Sequence, residues 1–222
     1  MTQIKNIHFS GSQQVSNSWD GGNGLWFNHL VQKGYIVVCV DGRGTGYRGT
    51  KYKKVTYKNL GKYEIEDQIA AAKWLGNQSY IDKSRIGIFG WSYGGYMASL
   101  AMTKGADVFK AGIAVAPVTN WRYYDSIYTE RFLQTPQENP EGYDQNSPTT
   151  FAKLLKGKFL LIHGTADDNV HFQNSMEFSE ALIQNNKQFE FMAYPDKNHG
   201  IYGGQTRPQL YKKMTDFILE NL

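Results

Sequence analysis

The sequence predicts an α/β domain in which a mainly parallel sheet carries helices on both faces. Short apolar runs bounded by turn residues alternate with amphipathic stretches along the chain. This alternation is typical of parallel strands joined by helical crossovers. The runs are apolar throughout rather than at every second residue, which indicates strands buried on both faces. The length of 222 residues is that of one domain, residues 1–222.

Five apolar runs are predicted strands and four amphipathic stretches are predicted helices. The strands are residues 35–40, 85–90, 111–116, 159–163 and 189–194. The helices are residues 65–75, 93–102, 175–185 and 208–222. Glu64, Glu66 and Asp67 lie in the first turns of the first of these helices, where acidic side chains interact favourably with the helix dipole. Sites in such sheets lie at the carboxyl ends of the strands, so the residues after each run are candidates for chemistry.

Composition and charge exclude several classes of protein. Apolar residues make up 41% of the chain, and the net charge of +4 is scattered without a basic run, which argues against nucleic-acid binding. The single cysteine, Cys39, lies within a strand run and is expected to be buried. No apolar stretch approaches the ~20 residues of a membrane span, and residues 1–9 lack a signal-peptide core. We therefore expect a soluble chain that does not span a membrane and does not bind a metal or a cofactor.

The motif Gly90-Trp91-Ser92-Tyr93-Gly94 predicts a nucleophilic serine. In a Gly-x-Ser-x-Gly turn the serine lies on a sharp bend between a strand and a helix, and its hydroxyl projects from the sheet edge. A predicted strand precedes Ser92 and a predicted helix follows it. The backbone N–H of Tyr93, at the helix N-terminus, is then a donor for an oxyanion. The alternative is a structural glycine turn in which the serine caps the helix.

The acid and the base of a triad follow in the expected order. In hydrolases with this turn the chain order is serine, acid, histidine. Asp167 and Asp168 follow the fourth predicted strand, and His199 follows the fifth. Spacing alone leaves the choice between the two aspartates open. The other histidines are less favoured as the base, and His163 is expected to be a core or strand-end residue; they are His8, His29, His163 and His171.

Six further stretches carry a resemblance to a known family. They are residues 41–46, 90–96, 116–121, 123–131 and 163–173, and the pair His199-Gly200. From about Gln13 to its end, the chain resembles the catalytic domain of the prolyl oligopeptidase family (S9) of serine peptidases, in its dipeptidyl peptidase IV branch. The resemblance implies an α/β-hydrolase fold, and it implies that Asp167 rather than Asp168 is the acid of the triad.

The resemblance also implies a substrate. Peptides with Pro or Ala at the second position would place that residue in an S1 pocket, and Asn169 would bind a substrate carbonyl. The implied pocket residues are Tyr93, Val118, Trp121, Tyr124, Tyr128 and Val170. From the residues alone, the aromatic side chains after Pro117 are more simply explained as core packing. Members of the family often form homodimers through this domain. The sequence does not identify the compartment, and a parent protein exported to the periplasm or the cell exterior is compatible with it.

The front of the chain departs from the family. A β-propeller normally precedes this domain, and the opening strands are missing or replaced by residues 1–12. The tyrosine that supplies a second oxyanion donor would fall near Ile7, where the sequence has none. Residues 1–9 are a poor central strand, but we expect them to fill that place or the domain to be N-terminally truncated. Weak peptidase activity is expected. The alternatives are an esterase, an acylaminoacyl-type hydrolase, or a non-catalytic remnant or association module.

Overall fold

The computed structural model describes residues 2–6 and 23–222 of the chain. Within them, six strands form one sheet in the order β2-β1-β3-β4-β5-β6, and every neighbouring pair is parallel. The strands are β1 (Thr2–Asn6), β2 (Tyr35–Cys39), β3 (Ile86–Trp91), β4 (Ala111–Val115), β5 (Lys158–Gly164) and β6 (Glu190–Tyr194). All strands point the same way, so their carboxyl ends form one edge of the sheet.

Eight α-helices connect and cover these strands in the described residues. They are α1 (Asn23–Gln32), α2 (Thr50–Lys54), α3 (Lys62–Gly76), α4 (Tyr93–Lys104), α5 (Ser126–Leu133), α6 (Pro140–Asp144), α7 (Gln173–Gln184) and α8 (Thr206–Asn221). Three 3₁₀ turns lie at Lys83–Arg85, Trp121–Tyr123 and Pro148–Leu154. Over the same part of the chain, no helix combines the length and the apolar character that crossing a bilayer requires.

Two apolar clusters lie on opposite faces of the sheet. Successive residues of a strand point to opposite faces, and the core follows this rule: Ile88 belongs to one cluster and Phe89 to the other. The first cluster contains residues of α3, α4 and α7, and the second contains residues of α1 and α8. Burial on both faces explains why β3 and β4 are apolar along their length.

The predicted elements are present, with ends that differ by a few residues. All five predicted strands and all four predicted helices form. The sequence analysis missed α1, α2, α5 and α6, three of which are at most eight residues long and carry few periodic apolar positions. The expectation of a fully buried β2 was wrong, because only Tyr35 is buried and the rest of the strand, Cys39 included, is partly exposed. Within the described sheet β2 is an outer strand, which explains its exposure.

Strand β1 is an inner strand of the described sheet and lies between the outer strand β2 and β3. Its residue Ile4 pairs with Val37 of β2 and with Gly87 of β3, so the backbone of β1 joins the two strands. Residues 1–9 were expected to take the place of a central strand or to mark a truncation, and that β1 replaces the family's opening strand stays a prediction. Two polar residues flank Ile4, and the strand forms despite them because its backbone groups are shared with both neighbours. Ile7 and His8 lie outside the described residues.

Candidate active site

Ser92 lies at the turn between β3 and α4, with an unusual backbone conformation. Its φ is 58° and its ψ is −118°, and its N–H donates to the carbonyl of Val115 at 2.8 Å. A side chain at Gly90 would collide with the backbone of Gly94, so a residue without Cβ is needed where strand and helix meet. Tyr93 is the first residue of α4, and its N–H therefore has no acceptor within the helix. The turn presents a serine beside an N–H that is available to an anion.

Asp167 follows β5 and is surrounded by hydrogen-bond donors. Its side chain is fully buried. Oδ1 accepts from the backbone N–H groups of Asn169 at 3.0 Å and Val170 at 2.9 Å. Oδ2 lies 2.7 Å from His199 Nδ1 and 3.1 Å from His163 Nε2. Burial alone would raise the pKa of this carboxyl, but the hydrogen bonds from His163 and His199 hold it well below its usual range. Asp167 is therefore ionised at neutral pH.

His199 follows β6 and is placed against Asp167 by contacts between two loops. The N–H of Ala166 donates to the carbonyl of Lys197 at 3.1 Å, which ties the loop of the acid to the loop of the histidine. With Nδ1 bonded to Asp167, the other ring nitrogen of His199 is available to a second partner. The His199 side chain is 23% exposed, so solvent and substrate can reach it.

A second set of contacts holds the far side of the histidine loop. Trp91 Nε1 donates to the carbonyl of His199 at 3.0 Å. Arg207 Nε donates to the carbonyls of Gly200 at 3.0 Å and Ile201 at 3.1 Å, and its guanidinium lies over the Trp91 ring. Ile201 has a φ of 45°, so the tight bend falls on this residue rather than on Gly200. The loop is anchored at three consecutive carbonyls.

The remaining aspartate and histidine candidates in the described residues lie apart from the contact between Asp167 and His199, with one exception. Asp168 is exposed, whereas its neighbour Asp167 bonds His199. His29 lies on α1, and His171 lies on the exposed surface. The exception is His163, which was expected to be a core residue and is fully buried, but which also contacts Asp167.

One cavity of about 510 Å³ brings the predicted side chains together. Its lining residues are Trp91, Ser92, Tyr93, Val118, Trp121, Tyr124, Tyr128, Asn169, His199, Gly200, Arg207 and Tyr211. Ser92 and His199 thus face the same space as five of the six predicted pocket residues. Val170, the sixth, is fully buried in the cluster that contains Val118. Among residues 2–6 and 23–222, no three His, Cys, Asp or Glu side chains are grouped as metal ligands.

The aromatic side chains form the wall of a compact apolar pocket. Trp121 stacks on Tyr128, with ring centroids 5.8 Å apart and an interplanar angle of 21°. Tyr124 meets Tyr128 edge to face at 5.3 Å, and Tyr93 packs against Trp121 at 5.8 Å. Asp125 caps helix α5 by accepting from the N–H of Tyr128 at 2.8 Å, which fixes that ring in the wall. Rings held in this way form an apolar box with little freedom to collapse.

Asn169 is oriented by one of the wall residues. The Tyr124 hydroxyl donates to Asn169 Oδ1 at 2.8 Å. With its oxygen occupied, the amide can offer its N–H groups to a carbonyl in the cavity. Asn169 therefore offers hydrogen-bond donors in a pocket lined mainly by aromatic side chains.

Behind Tyr93 lies a second carboxyl group. The Tyr93 hydroxyl donates to Glu64 Oε1 at 2.7 Å, and the N–H of Gly61 donates to Glu64 Oε2 at 3.0 Å. Burial raises the pKa of Glu64 to about 7, although both hydrogen bonds act in the opposite direction. Glu64 thus anchors the residue that forms both a pocket wall and the N–H beside Ser92.

Sequence reasoning missed several side chains that contribute to the site, among them Trp91, which holds the histidine loop. Glu64 was assigned only to the helix dipole, and its contact with Tyr93 spans 29 residues of sequence. His163 was read as a core residue because it ends a strand. Arg207 and Tyr211 line the cavity, and their separation of four residues in α8 places them on one helix face. That spacing was the one signal in the sequence that could have indicated a shared surface.

Comparisons with known proteins identify the family. Residues 25–222 match the model of the prolyl oligopeptidase family, peptidase family S9. The chain belongs to the prolyl oligopeptidase family. It is 47% identical over 197 residues to prolyl endopeptidase FAP of Mus musculus and 46% identical over 197 residues to dipeptidyl peptidase 4 of Felis catus. Each match covers 87% of this chain and 26% of the relative.

Solved structures of the same family have the same fold. Dipeptidyl peptidase 4 of Porphyromonas gingivalis superposes with a TM-score of 0.94 at 51% identity. A putative dipeptidyl aminopeptidase IV of Bacteroides ovatus superposes with a TM-score of 0.94 at 34% identity. Both comparisons cover 100% of this chain and 31% of the other. The predicted family and the predicted α/β-hydrolase fold are confirmed, and the chain spans about a quarter to a third of the length of these relatives.

Proposed function

We propose that residues 1–222 form a single catalytic domain of a serine peptidase of the dipeptidyl peptidase IV type. It cleaves peptides after Pro or Ala at the second position from the N-terminus. The observation that carries the proposal is the pairing of Asp167 with His199 at the edge of the cavity that Ser92 and the aromatic box also line. Nucleophile, base and pocket lie together at the carboxyl ends of β3 to β6, where such sheets hold their sites.

The proposed reaction proceeds through an acyl-enzyme. Ser92 Oγ attacks the scissile carbonyl while His199 Nε2 takes its proton, and a C–O bond forms as the carbonyl becomes an oxyanion. The Tyr93 N–H donates to that oxyanion. The intermediate collapses, the C–N bond breaks, and His199 returns the proton to the leaving amine. Water then attacks the ester carbonyl while His199 takes its proton, the C–O bond to Ser92 breaks, and His199 returns the proton to Ser92 Oγ, which frees the dipeptide.

Asp167 determines which nitrogen of His199 does this work. Its Oδ2 accepts from Nδ1–H, so the neutral imidazole carries its lone pair on Nε2. Between the described residues, no hydrogen bond joins Ser92 Oγ to His199. In enzymes without substrate this contact is often long and tightens in the complex, so the arrangement is compatible with a base.

The pocket favours a small, compact side chain before the scissile bond. A pyrrolidine ring or a methyl group would pack against Trp121 and Tyr128, and larger side chains would meet rings that are already in contact. The Asn169 amide would bind the carbonyl of the preceding substrate residue. These contacts support Pro or Ala as the residue that the enzyme recognises.

Turnover by this 222-residue chain is proposed to be weak. Tyr93 supplies one oxyanion donor, and the place of a second falls near Ile7, outside the described residues. Loss of one such donor typically costs about 10²–10³ in kcat. Binding in the pocket would be affected less, because the aromatic box does not depend on that donor.

Fluorophosphonate labelling tests the proposal directly. We expect one label per chain, on Ser92, and none on the Ser92→Ala variant. A Gly-Pro p-nitroanilide should be hydrolysed slowly by the first and not by the second. A folded chain that takes no label would contradict the proposed nucleophile. Labelling with hydrolysis of p-nitrophenyl acetate alone, and with no cleavage after proline, would favour the esterase alternative. Fast, ordinary turnover of the anilide would contradict only the proposal of weak activity.

Two further expectations stay predictions. The first is that two copies associate through this domain, which light scattering coupled to size-exclusion chromatography would detect. The second is that the parent protein is exported, which fractionation of the cells that make it would detect.

A further inference from the structure

His163 is a buried polar residue that the proposed reaction leaves without a role. It lies at the end of β5, four residues before Asp167, and its side chain is fully buried. Its ring contacts three polar groups: Nε2 lies 3.1 Å from Asp167 Oδ2 and 2.8 Å from the carbonyl of Val170, and Nδ1 lies 2.6 Å from Ser175 Oγ. Phe172 packs edge to face against the ring at 5.6 Å.

These contacts determine the tautomer of His163. The two atoms that face Nε2, on Asp167 and Val170, are acceptors only, so Nε2 must carry a hydrogen. In the neutral ring Nδ1 then has a lone pair, and the hydroxyl of Ser175 can donate to it. Every polar atom of the imidazole is satisfied in this one tautomer, and the reverse tautomer would place a lone pair against two oxygens.

The same oxygen of Asp167 serves both histidines. Oδ2 accepts from His163 on the buried side and from His199 on the side of the cavity. His163 also binds the carbonyl of Val170, whose N–H donates to Oδ1 of the same carboxylate. One ring therefore holds both the carboxylate and the turn that donates to it. Rotation of the Asp167 carboxylate would break contacts on both oxygens at once.

We propose that His163 is a positioning residue, which acts through Asp167 to aim the carboxylate at the Nδ1–H of His199. Ser175, on the first turn of α7, holds His163 in the tautomer that donates to Asp167. This inference rests on the proposed function for its effect on turnover. Its effect on the tautomer of His199 does not need turnover to be measured.

Two amide variants separate this role from packing. In His163→Gln the amide reaches about as far as Nε2 and can still donate to Asp167. In His163→Asn the amide reaches only as far as Nδ1, so it can bond Ser175 but not Asp167. We expect His163→Asn to lower kcat about tenfold to a hundredfold with little change in KM. This is the range seen when a residue that orients a metal-binding side chain is removed. His163→Gln should retain kcat to within about threefold.

The tautomer of the neutral His199 ring, followed by nitrogen-15 NMR in each variant, supplies the second readout. Without the donor on its buried side, the Asp167 carboxylate can turn away from His199, so His163→Asn should lower the fraction of His199 rings that carry their hydrogen on Nδ1, and His163→Gln should not. Equal kcat and an equal His199 tautomer in both variants and the unmodified protein would overturn the proposal. Equal losses of kcat in both folded variants, with the tautomer of His199 unchanged, would show packing alone and overturn it too.

A measurement on the unmodified protein guards against variants that fail to fold. Nitrogen-15 shifts of His163 should show a protonated Nε2 and a bare Nδ1, and the reverse tautomer or a doubly protonated ring would overturn the proposal. If the unmodified chain neither labels at Ser92 nor turns over substrate, the proposed function fails. The tautomers of His163 and His199 still decide the role of His163 in that case.

Discussion

Two carboxyl groups lie behind the cavity in two different settings. Asp167, behind His199, is fully buried and accepts hydrogen bonds from two imidazoles and two backbone N–H groups. Glu64, behind Tyr93, accepts from one phenol and from the N–H of Gly61. The pKa of Asp167 is held well below its usual range, whereas burial raises the pKa of Glu64 to about 7.

The difference shows that enough hydrogen-bond donors can outweigh burial in deciding the charge of a carboxyl group in this molecule. Removing a carboxylate from water disfavours its charge in both places. At Asp167 four donors, two of them imidazoles, more than offset that cost. At Glu64 two neutral donors do not, and the nearby charge of Asp67 adds repulsion. The site therefore keeps a permanent anion behind its base and a neutralisable acid behind its pocket wall.

The largest expected effect comes from replacing Asp167, the carboxylate with four donors. Asp167→Asn removes the charge and offers an amide where His199 needs an acceptor, so the imidazole loses its orientation and tautomer. We expect kcat for an Xaa-Pro anilide to fall by about 10⁴-fold, with KM changed far less. Steady-state kinetics at several pH values measures both constants.

Asp168→Asn is the matched control for this variant. It makes the same chemical change one residue along the chain, on an exposed side chain. We expect kcat close to that of the unmodified protein. Comparable losses in the two variants, or a larger loss at Asp168, would mean that the acid of the triad has been assigned to the wrong aspartate.

Replacing Glu64, the second carboxyl group, is expected to change the pH dependence of the free energy of unfolding. Because the pKa of Glu64 in the folded chain, about 7, is above its ordinary value of 4.5, the folded state binds a proton that the unfolded state has lost between these pH values. Raising the pH through this window therefore favours unfolding. We expect the free energy of unfolding to fall by about 2 kcal/mol from about pH 5 to about pH 8, less than the whole shift would give because solvent reaches part of the residue and screens its charge.

In Glu64→Gln this decrease should disappear, since the amide does not titrate. Glu66→Gln is the control on the same helix, because Glu66 is half-exposed and pairs with Arg43 on the surface. It should lower stability by less than about 1 kcal/mol and keep the pH dependence of the unmodified protein. Denaturant titrations across the pH range give both quantities. A Glu64→Gln variant with an unchanged slope would place the titrating group elsewhere.

The sequence could predict the parts of the molecule that follow from local patterns, but not the contacts between distant residues. Strands and the residues after them follow from local apolar runs, so Ser92, the Asp167-Asp168 pair and His199 could be placed at one edge of the sheet. Helix periodicity placed Glu64 in a first turn, but it carries no information about a partner 29 residues away. The contact between His163 and Asp167 was hidden differently. A histidine at a strand end reads as core, and only the bend of the following loop brings it onto the acid.

The smallest expected effect comes from removing one of the two hydrogen bonds to Glu64. Tyr93→Phe keeps the ring in the pocket wall but removes the hydroxyl that donates to Glu64 Oε1. Since that bond favours the carboxylate, its loss should move the midpoint of the pH-dependent stability upward by about half a pH unit. Tyr96→Phe is the control, because the Tyr96 hydroxyl donates to the carbonyls of Leu60 and Asn146 and not to Glu64. It should lower stability at every pH and leave the midpoint in place. Equal midpoints in both variants would mean that Tyr93 does not hold Glu64 through its hydroxyl, and that burial alone accounts for the titration of this carboxyl.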